Sequence, residues 1–392
     1  MKIWQKQFLA AFLSVVLLVA AVFPTVAEES SVSDLGVADG SLNLSPRSAI
    51  LMEATTGAVL YQQNPDEALP PASVTKIMTL LLLMEAIDTG TLRLDDIVTA
   101  SANAASMGGS QVYLKEGEQM SLEDMLKSVV IASANDAAVA LAEHHSGSVS
   151  AFVEKMNARA RQLGMQNTHF ENVTGLDDTA EHHLTSARDI ALMSAELLRH
   201  PTLFQYSSLW MDTIRDGAFG LTNTNRLVRF YRGCTGLKTG STSKAGFCVS
   251  VTAERDGLSL ICVIMGAESR DVRNAAATEL LDWGFANYAL YTSPSAEVDP
   301  FAVTGGKQNL CSAAYPSFSC VLPKGDLGEV QVKLSLPDSL PAPVRVGDSV
   351  GKADFLVGDR LVGSVPVTAT QSVEKINLLD VFFRVFARFL MI

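Results

Sequence analysis

The chain reads as an α+β protein: helices packed on an antiparallel sheet, followed by a small all-β domain and a C-terminal amphipathic helix. Three observations predict this. An apolar hairpin precedes a run of helical stretches, and strands and one more helix follow it, an order that suits helices laid on an antiparallel sheet. From about residue 291 the texture changes to short Val-rich segments such as GEVQVKLSL, PVRVGDSV and LVGSVPVTA, punctuated by Gly and Pro. The final stretch, EKINLLDVFFRVFARFLMI, spaces Asn377, Asp380, Arg384 and Arg388 along one helical face and is otherwise mostly apolar.

The N-terminal segment has the make-up of a secretory signal. Lys2 and Lys6 precede an apolar run from Phe8 to Phe23, and Thr25-Val26-Ala27 gives a small-residue exit before Glu28 and Glu29. Residues 1–27 are therefore expected to be a signal peptide that exports the rest, and 28–45 a polar leader. RSAILMEATTGAVLYQQN predicts two strands, about 48–53 and 58–62, around a Thr-Thr-Gly turn. After a proline-rich segment, VTKIMTLLLLMEAI is apolar on every face, the mark of a buried helix. SLEDMLKSVVIASANDAAVALAEHH and SVSAFVEKMNARARQLGM predict further helices. LKTGST, GFCVSVTAE and LSLICVIMGA predict strands, the last two joined by Arg255-Asp256-Gly257, and a helix near 270–287 closes a unit expected over 46–290. TSPSAEVDPF reads as a linker into a β domain over 291–370, and 371–392 as the amphipathic helix. Two arginines and an aspartate in so short a run exclude a comfortable spanning helix but suit one lying in a membrane interface.

Composition removes several function classes. A formal net charge of −12 with no basic cluster argues against nucleic acid as a partner. Five cysteines make no dense framework; Cys248 and Cys262 lie in apolar runs as small core residues, and Cys311 and Cys320 are close enough in sequence to pair. The adjacent pairs His144-His145 and His182-His183 point in different directions on a regular element and chelate poorly, so no metal and no cofactor is expected.

Ser-x-x-Lys occurs four times, beginning at Ser73, Ser241, Ser349 and Ser372. Ser73 alone sits at the start of a long buried helix. There Ser73 and Lys76 share a face, free N–H groups favour developing negative charge, and burial favours a neutral, basic lysine. The competing reading makes Ser73 an N-cap and Lys76 a snorkelling surface residue. Two further stretches supply the help such a serine needs: Ser133-Ala134-Asn135, with a decoy at Ser101-Ala102-Asn103, and Lys238-Thr239-Gly240 at the head of a strand. Gly240 would let a substrate run close along that strand, and Lys238 and Thr239 could grip a carboxylate.

In this order the three motifs resemble the active-site set of penicillin-binding proteins and serine β-lactamases, and hence their β-lactamase/transpeptidase-like fold. With the flanking LKEGE, NTHFENVTGL, HLTSARDIALM and LLDWGF, the chain is closely similar to the low-molecular-mass penicillin-binding proteins that are D-alanyl-D-alanine carboxypeptidases of peptidase family S11. The resemblance implies that Ser73 is the nucleophile, Lys76 its base and Ser133 a proton relay. Asn135 would contact substrate and hold Lys76, Lys238 and Thr239 would bind the terminal carboxylate, and the oxyanion would sit between the N–H groups of Ser73 and Ser241. Arg273 matches a family arginine and is a secondary candidate for the carboxylate, against a solvated helix-start residue. Where other members carry Asn-Arg-Asn, this chain has Asn223-Thr224-Asn225, which leaves that arginine's part to Arg226, Arg229 or Arg232 or to none. Implied partners are peptidoglycan stem peptides ending in D-Ala-D-Ala, β-lactams as covalent inhibitors, and the outer face of the bacterial membrane. The alternatives are a catalytically weak penicillin-binding sensor or scaffold, and a serine β-lactamase, whose class A Glu-x-x-Leu-Asn stretch is absent from the sequence.

Overall fold

The computed structural model describes residues 42, 44–178 and 180–389. The expected signal peptide 1–27, nearly all of the leader 28–45 and the last three residues lie outside that range.

The hairpin forms where the two apolar runs and the Thr-Thr-Gly turn place it, as β1 (Ser48–Glu53) and β2 (Val59–Gln63). Its turn is pinned by Glu53, whose Oε2 accepts from the N–H groups of Thr55 and Thr56 and from Thr56 Oγ1 at 2.6–3.0 Å. β3 (Cys234–Thr242), β4 (Gly246–Arg255) and β5 (Leu258–Ala267) complete a five-stranded antiparallel sheet in the order β2-β1-β5-β4-β3. Both faces are covered, which is why these strands read as near-continuous apolar runs. Ile50, Met52, Ile261, Val263 and Met265 face the large helical core. Their neighbours Ala49, Leu51, Leu260, Cys262 and Ile264 face a second core closed by Leu280, Leu281 and Phe285 of the long helix Arg270–Asn287.

The helical side is centred on α1 (Lys76–Asp88), which a 3-10 turn, Ala72–Thr75, leads into. Ile77, Met78, Leu80, Leu81 and Leu83 of α1 are at most 1% exposed, so each contributes roughly 1.5–3 kcal/mol of burial. The stretch expected as one helix from 121 to 145 is two, α2 (Leu122–Val130) and α3 (Asn135–Ser146). They break at Ser133, whose φ of 63° no helix interior tolerates, and the Asn135 N–H donates to the Ser110 carbonyl instead of to a preceding turn. α4 (Val149–Gln162) and α5 (Ala187–Leu197) finish the layer, and Arg270–Asn287 is α6.

Beyond α6 the chain enters a mixed six-stranded sheet and a two-stranded ribbon around a core of Val298, Phe301, Cys311, Phe355 and Val367. The expected linker 292–301 is strand: Tyr288–Ser293 pairs with Phe318–Pro323, and Ala296–Thr304 joins the large sheet. Its apolar residues explain this, since Val298 and Phe301 alternate into the core across a bulge at Val298/Phe301. All five cysteines are free thiols, Cys311 and Cys320 included. The last helix spans Leu378–Phe389. Ahead of it Val373, in the stretch expected to be helical, is buried and exchanges both backbone bonds with Val344. Among the described residues no helix is long and apolar enough to cross a membrane.

Candidate active site

The turn before α1 is forced into an uncommon shape. Ala72 has φ of 48°, and its carbonyl lies so close to Gly175 that a Cβ there would sit 1.8 Å from the oxygen. This turn lifts Ser73 out of the buried helix, half-exposed, while Lys76 three residues on is completely buried. Ser73 is not a cap: its Oγ lies 3.0 Å from Lys76 Nζ. Lys76 is not a snorkelling residue either. Its Nζ also donates to Asn135 Oδ1 at 2.6 Å and to the Thr174 carbonyl at 2.8 Å.

Burial above all, and then the positive charge of Lys238, hold the Lys76 pKa well below its ordinary value, with buried Asp136 acting the other way. In the neutral amine only two hydrogens remain. Both fixed carbonyl oxygens can only accept, so those hydrogens go to Asn135 and Thr174 and the lone pair is left for the Ser73 hydroxyl proton. The geometry thus turns that lone pair towards the Ser73 hydroxyl.

Asn135 starts α3, and its amide donates to the Gly108 carbonyl at 2.7 Å, which fixes Oδ1 on Lys76. The left-handed turn at Ser133 brings its hydroxyl to Lys238 Nζ at 2.7 Å. Lys238 also donates to the Thr239 carbonyl at 3.0 Å, and burial, helped by Arg273, pushes its pKa down to about 7. In β3, Gly240 lies against the Ala72–Thr75 turn: a Cβ there would stand 2.7 Å from the Ser73 nitrogen and 2.9 Å from the Val74 nitrogen. Ser241 follows, exposed, on the same cleft.

That cleft, of about 550 Å³, is lined by Ser73, Ser133, Thr239, Ser241, Arg226 and Arg273 among others. Arg273 is 3% exposed rather than solvated. Its guanidinium donates to the Cys248 carbonyl and to Asn274 Oδ1, neutral acceptors, and burial lowers its pKa to about 10. Of the three other arginines, Arg226 lines the cleft, Arg229 stacks over Trp210 and Phe230 at 5.5 Å, and the Arg232 carbonyl receives Arg255 Nε. Thr224 meets Thr239 instead, hydroxyl to hydroxyl at 2.8 Å.

The decoys fall elsewhere. Ser101 caps a one-turn helix, accepting from the Ala104 N–H, while exposed Asn103 donates to half-buried Glu143. Ser349 and Lys352 lie in a strand of the β domain, and Lys244 Nζ donates to the Asp177 carbonyl. The sequence reading missed four groups: the Thr174 carbonyl, Asp136, Thr75 and His183. Asp136 accepts from the N–H groups of Val112, Leu114 and Ala137, which anchors the start of α3. The available signal was NVTGL, whose Gly175 is needed where the chain crosses the Ala72–Thr75 turn.

Two family models match: one described as D-alanyl-D-alanine carboxypeptidase over residues 36–269, and one as the C-terminal domain of penicillin-binding protein 5 over 296–375. The D-alanyl-D-alanine carboxypeptidase DacF of Bacillus subtilis is 39% identical over 366 residues, 92% of this chain and 94% of that protein. DacC of Escherichia coli is 34% identical, covering 84% of each. The crystal structure of penicillin-binding protein 5 from Haemophilus influenzae superposes with a TM-score of 0.78 at 31% identity, over 85% of this chain and 99% of that one. Penicillin-binding protein D2 from Listeria monocytogenes, solved in an ampicillin-bound form, gives 0.58 at 32% identity over 62% and 99%.

Proposed function

Since this chain belongs to the S11 family of D-alanyl-D-alanine carboxypeptidases, we propose that it removes the terminal D-alanine of peptidoglycan stem peptides through an acyl-enzyme on Ser73. The observation that carries this is the set of bonds around Lys76, which leaves one lone pair aimed at one hydroxyl.

Ser73 Oγ attacks the carbonyl carbon between the two D-alanines and passes its proton to Lys76 Nζ. The negative charge on the carbonyl oxygen is met by the N–H groups of Ser73 and Ser241, each worth roughly 3–4 kcal/mol in comparable sites. The C–N bond then breaks, and a proton delivered through Ser133 leaves with the D-alanine amine. Water, deprotonated by Lys76, hydrolyses the ester. Lys238, Thr239 and Arg273 hold the terminal carboxylate, the guanidinium being free of any carboxylate partner among the described residues. A β-lactam acylates the same serine, as a strained mimic of the D-Ala-D-Ala amide.

The finer organisation follows. Residues 46–290 carry the chemistry and the β domain carries none. The last helix presents Leu378, Leu379, Phe382, Phe383, Val385 and Phe386 to solvent while Asp380 and Arg384 turn back to Lys307, a polarity that suits docking on the outer face of the membrane. The test is D-alanine release from diacetyl-Lys-D-Ala-D-Ala, with labelled penicillin as a second probe. The parent should release D-alanine and label; Ser73→Ala should do neither. Labelling of the parent without release would mean a sensor.

A further inference from the structure

Beneath the nucleophile turn lies a buried chain of hydrogen bonds that the catalytic scheme does not use. The Glu171 N–H donates to His183 Nδ1 at 3.0 Å. That ring nitrogen must therefore accept, and the proton of the neutral imidazole sits on Nε2. Nε2 is 2.7 Å from Thr75 Oγ1, which in turn donates to the Ala72 carbonyl at 2.8 Å. Thr75, His183 and Ala72 are all at most 3% exposed, so no water competes for these bonds.

The Ala72 carbonyl and the Ser73 N–H belong to one planar peptide and point in opposite directions. Whatever fixes the first aims the second. A residue with a Cβ at φ of 48° is held there only by its surroundings. Gly175 packs against the same carbonyl, and on the far side of the plane the Ser73 nitrogen faces β3 at Gly240. Donation to the carbonyl also withdraws electron density from the amide and makes its N–H a stronger donor.

We infer that Thr75 and His183 are positioning residues for the oxyanion site: through the Ala72 carbonyl they aim and polarise the Ser73 N–H. The inference rests on Ser73 being the nucleophile, and the experiment separates the two claims. The purified full-length protein is compared with His183→Leu, His183→Gln, Thr75→Val and Ser73→Ala. Two readouts are followed: the rate of acylation by fluorescent penicillin, and the infrared carbonyl band of the acyl-enzyme ester, which rises in frequency when oxyanion hydrogen bonds weaken. His183→Leu and Thr75→Val, both folded by circular dichroism, should lose about tenfold or more in acylation rate and shift the band upward. His183→Gln, whose amide can still donate to Thr75, should stay within about threefold of the parent with an unshifted band. Thr75→Val exchanges a hydroxyl for a methyl of the same shape, so it reads the bond rather than the packing. A parental rate or band in either deleting variant overturns the inference, as does a His183→Gln as impaired as His183→Leu. Labelling of Ser73→Ala at the parental rate would instead overturn the nucleophile.

Discussion

Replacing Gly240 by alanine tests the oxyanion site directly. The added methyl would lie 2.7 Å from the Ser73 nitrogen and 2.9 Å from both the Pro71 oxygen and the Val74 nitrogen. Ordinary carbon contacts begin near about 3.4 Å, so β3 and the nucleophile turn must separate by roughly 0.7 Å. All three opposing atoms are backbone, and α1 behind them is fully packed, so no side chain can swing away to absorb the change. Overpacking of this kind costs about 1–3 kcal/mol of stability. The larger effect falls on catalysis, because the Ser73 and Ser241 donors lie on the two elements forced apart. Losing one donor removes about 10²–10³ from the rate. We expect Gly240→Ala to fold with a lowered melting temperature, and to show D-alanine release and penicillin acylation both reduced about a hundredfold or more. A folded variant acylated within threefold of the parent would refute the reasoning, since the two elements would not then form the site.

Other expectations follow from the same geometry. Asn135→Ala removes one of the two acceptors that orient the neutral Lys76; D-alanine release should fall by about 10²-fold or more, with penicillin labelling slowed in step. His183 has its pKa lowered from 6.5 to about 4, chiefly by burial, with His169 and Lys76 acting in the same sense and Glu171 and Asp177 opposing. A depressed pKa means the neutral form is the folded one, so its contribution is complete above pH 6.5 and is lost as pH falls through about 4. Across that window the parent should lose about 3 kcal/mol more than His183→Gln, read by urea unfolding at a series of pH values. Lys238, lowered to about 7, is a cation below that pH and neutral above it. The kcat/KM for a free-carboxylate tripeptide should accordingly decline above about pH 7, while that for the corresponding C-terminal amide should not share this limb. Removal of residues 378–392 should free the protein from anionic lipid vesicles without changing D-alanine release; vesicle binding equal to the parent's would rule out the helix as the attachment.

The sequence reading named Ser73, Lys76, Ser133, Asn135, Lys238, Thr239, Gly240 and Ser241 because each lies in a short ordered motif; Ser73, Ser133, Thr239, Gly240 and Ser241 line one cleft, and Lys76, Asn135 and Lys238 are buried behind it, hydrogen-bonded in turn to Ser73, Lys76 and Ser133. It could rank the four Ser-x-x-Lys copies only by their surroundings, and the structure gives the physical ground: three of them lack a buried amine held against the serine. Arg273 was legible as a candidate but not its burial, since a helix-start arginine looks the same whether it faces water or a cleft. His183 was visible as half of an unhelpful pair and as the first residue of HLTSARDIALM, neither of which gives it a role. Its partners are 12 and 108 residues away, and no periodicity encodes them.

By itself the sequence determined the apolar strands of the five-stranded sheet, the all-round apolar α1, the change of texture near 291 and the amphipathic close, because each is a local pattern with a local cause. The split of the 121–145 stretch at Ser133 escaped it, since helix propensity continues through the break. So did the strands across 292–301, because two prolines and two serines mask Val298 and Phe301 until a core exists to receive them. The chemistry itself belongs to the tertiary structure. The proposed base, Lys76, has a lone pair aimed at Ser73 only where Asn135 and Thr174, 59 and 98 residues away, occupy its two hydrogens. Lys238 lies near neutrality only because folding buries it beside Arg273. A pKa and a lone-pair direction depend on what surrounds an atom in three dimensions, and those surroundings come into being only when distant segments meet.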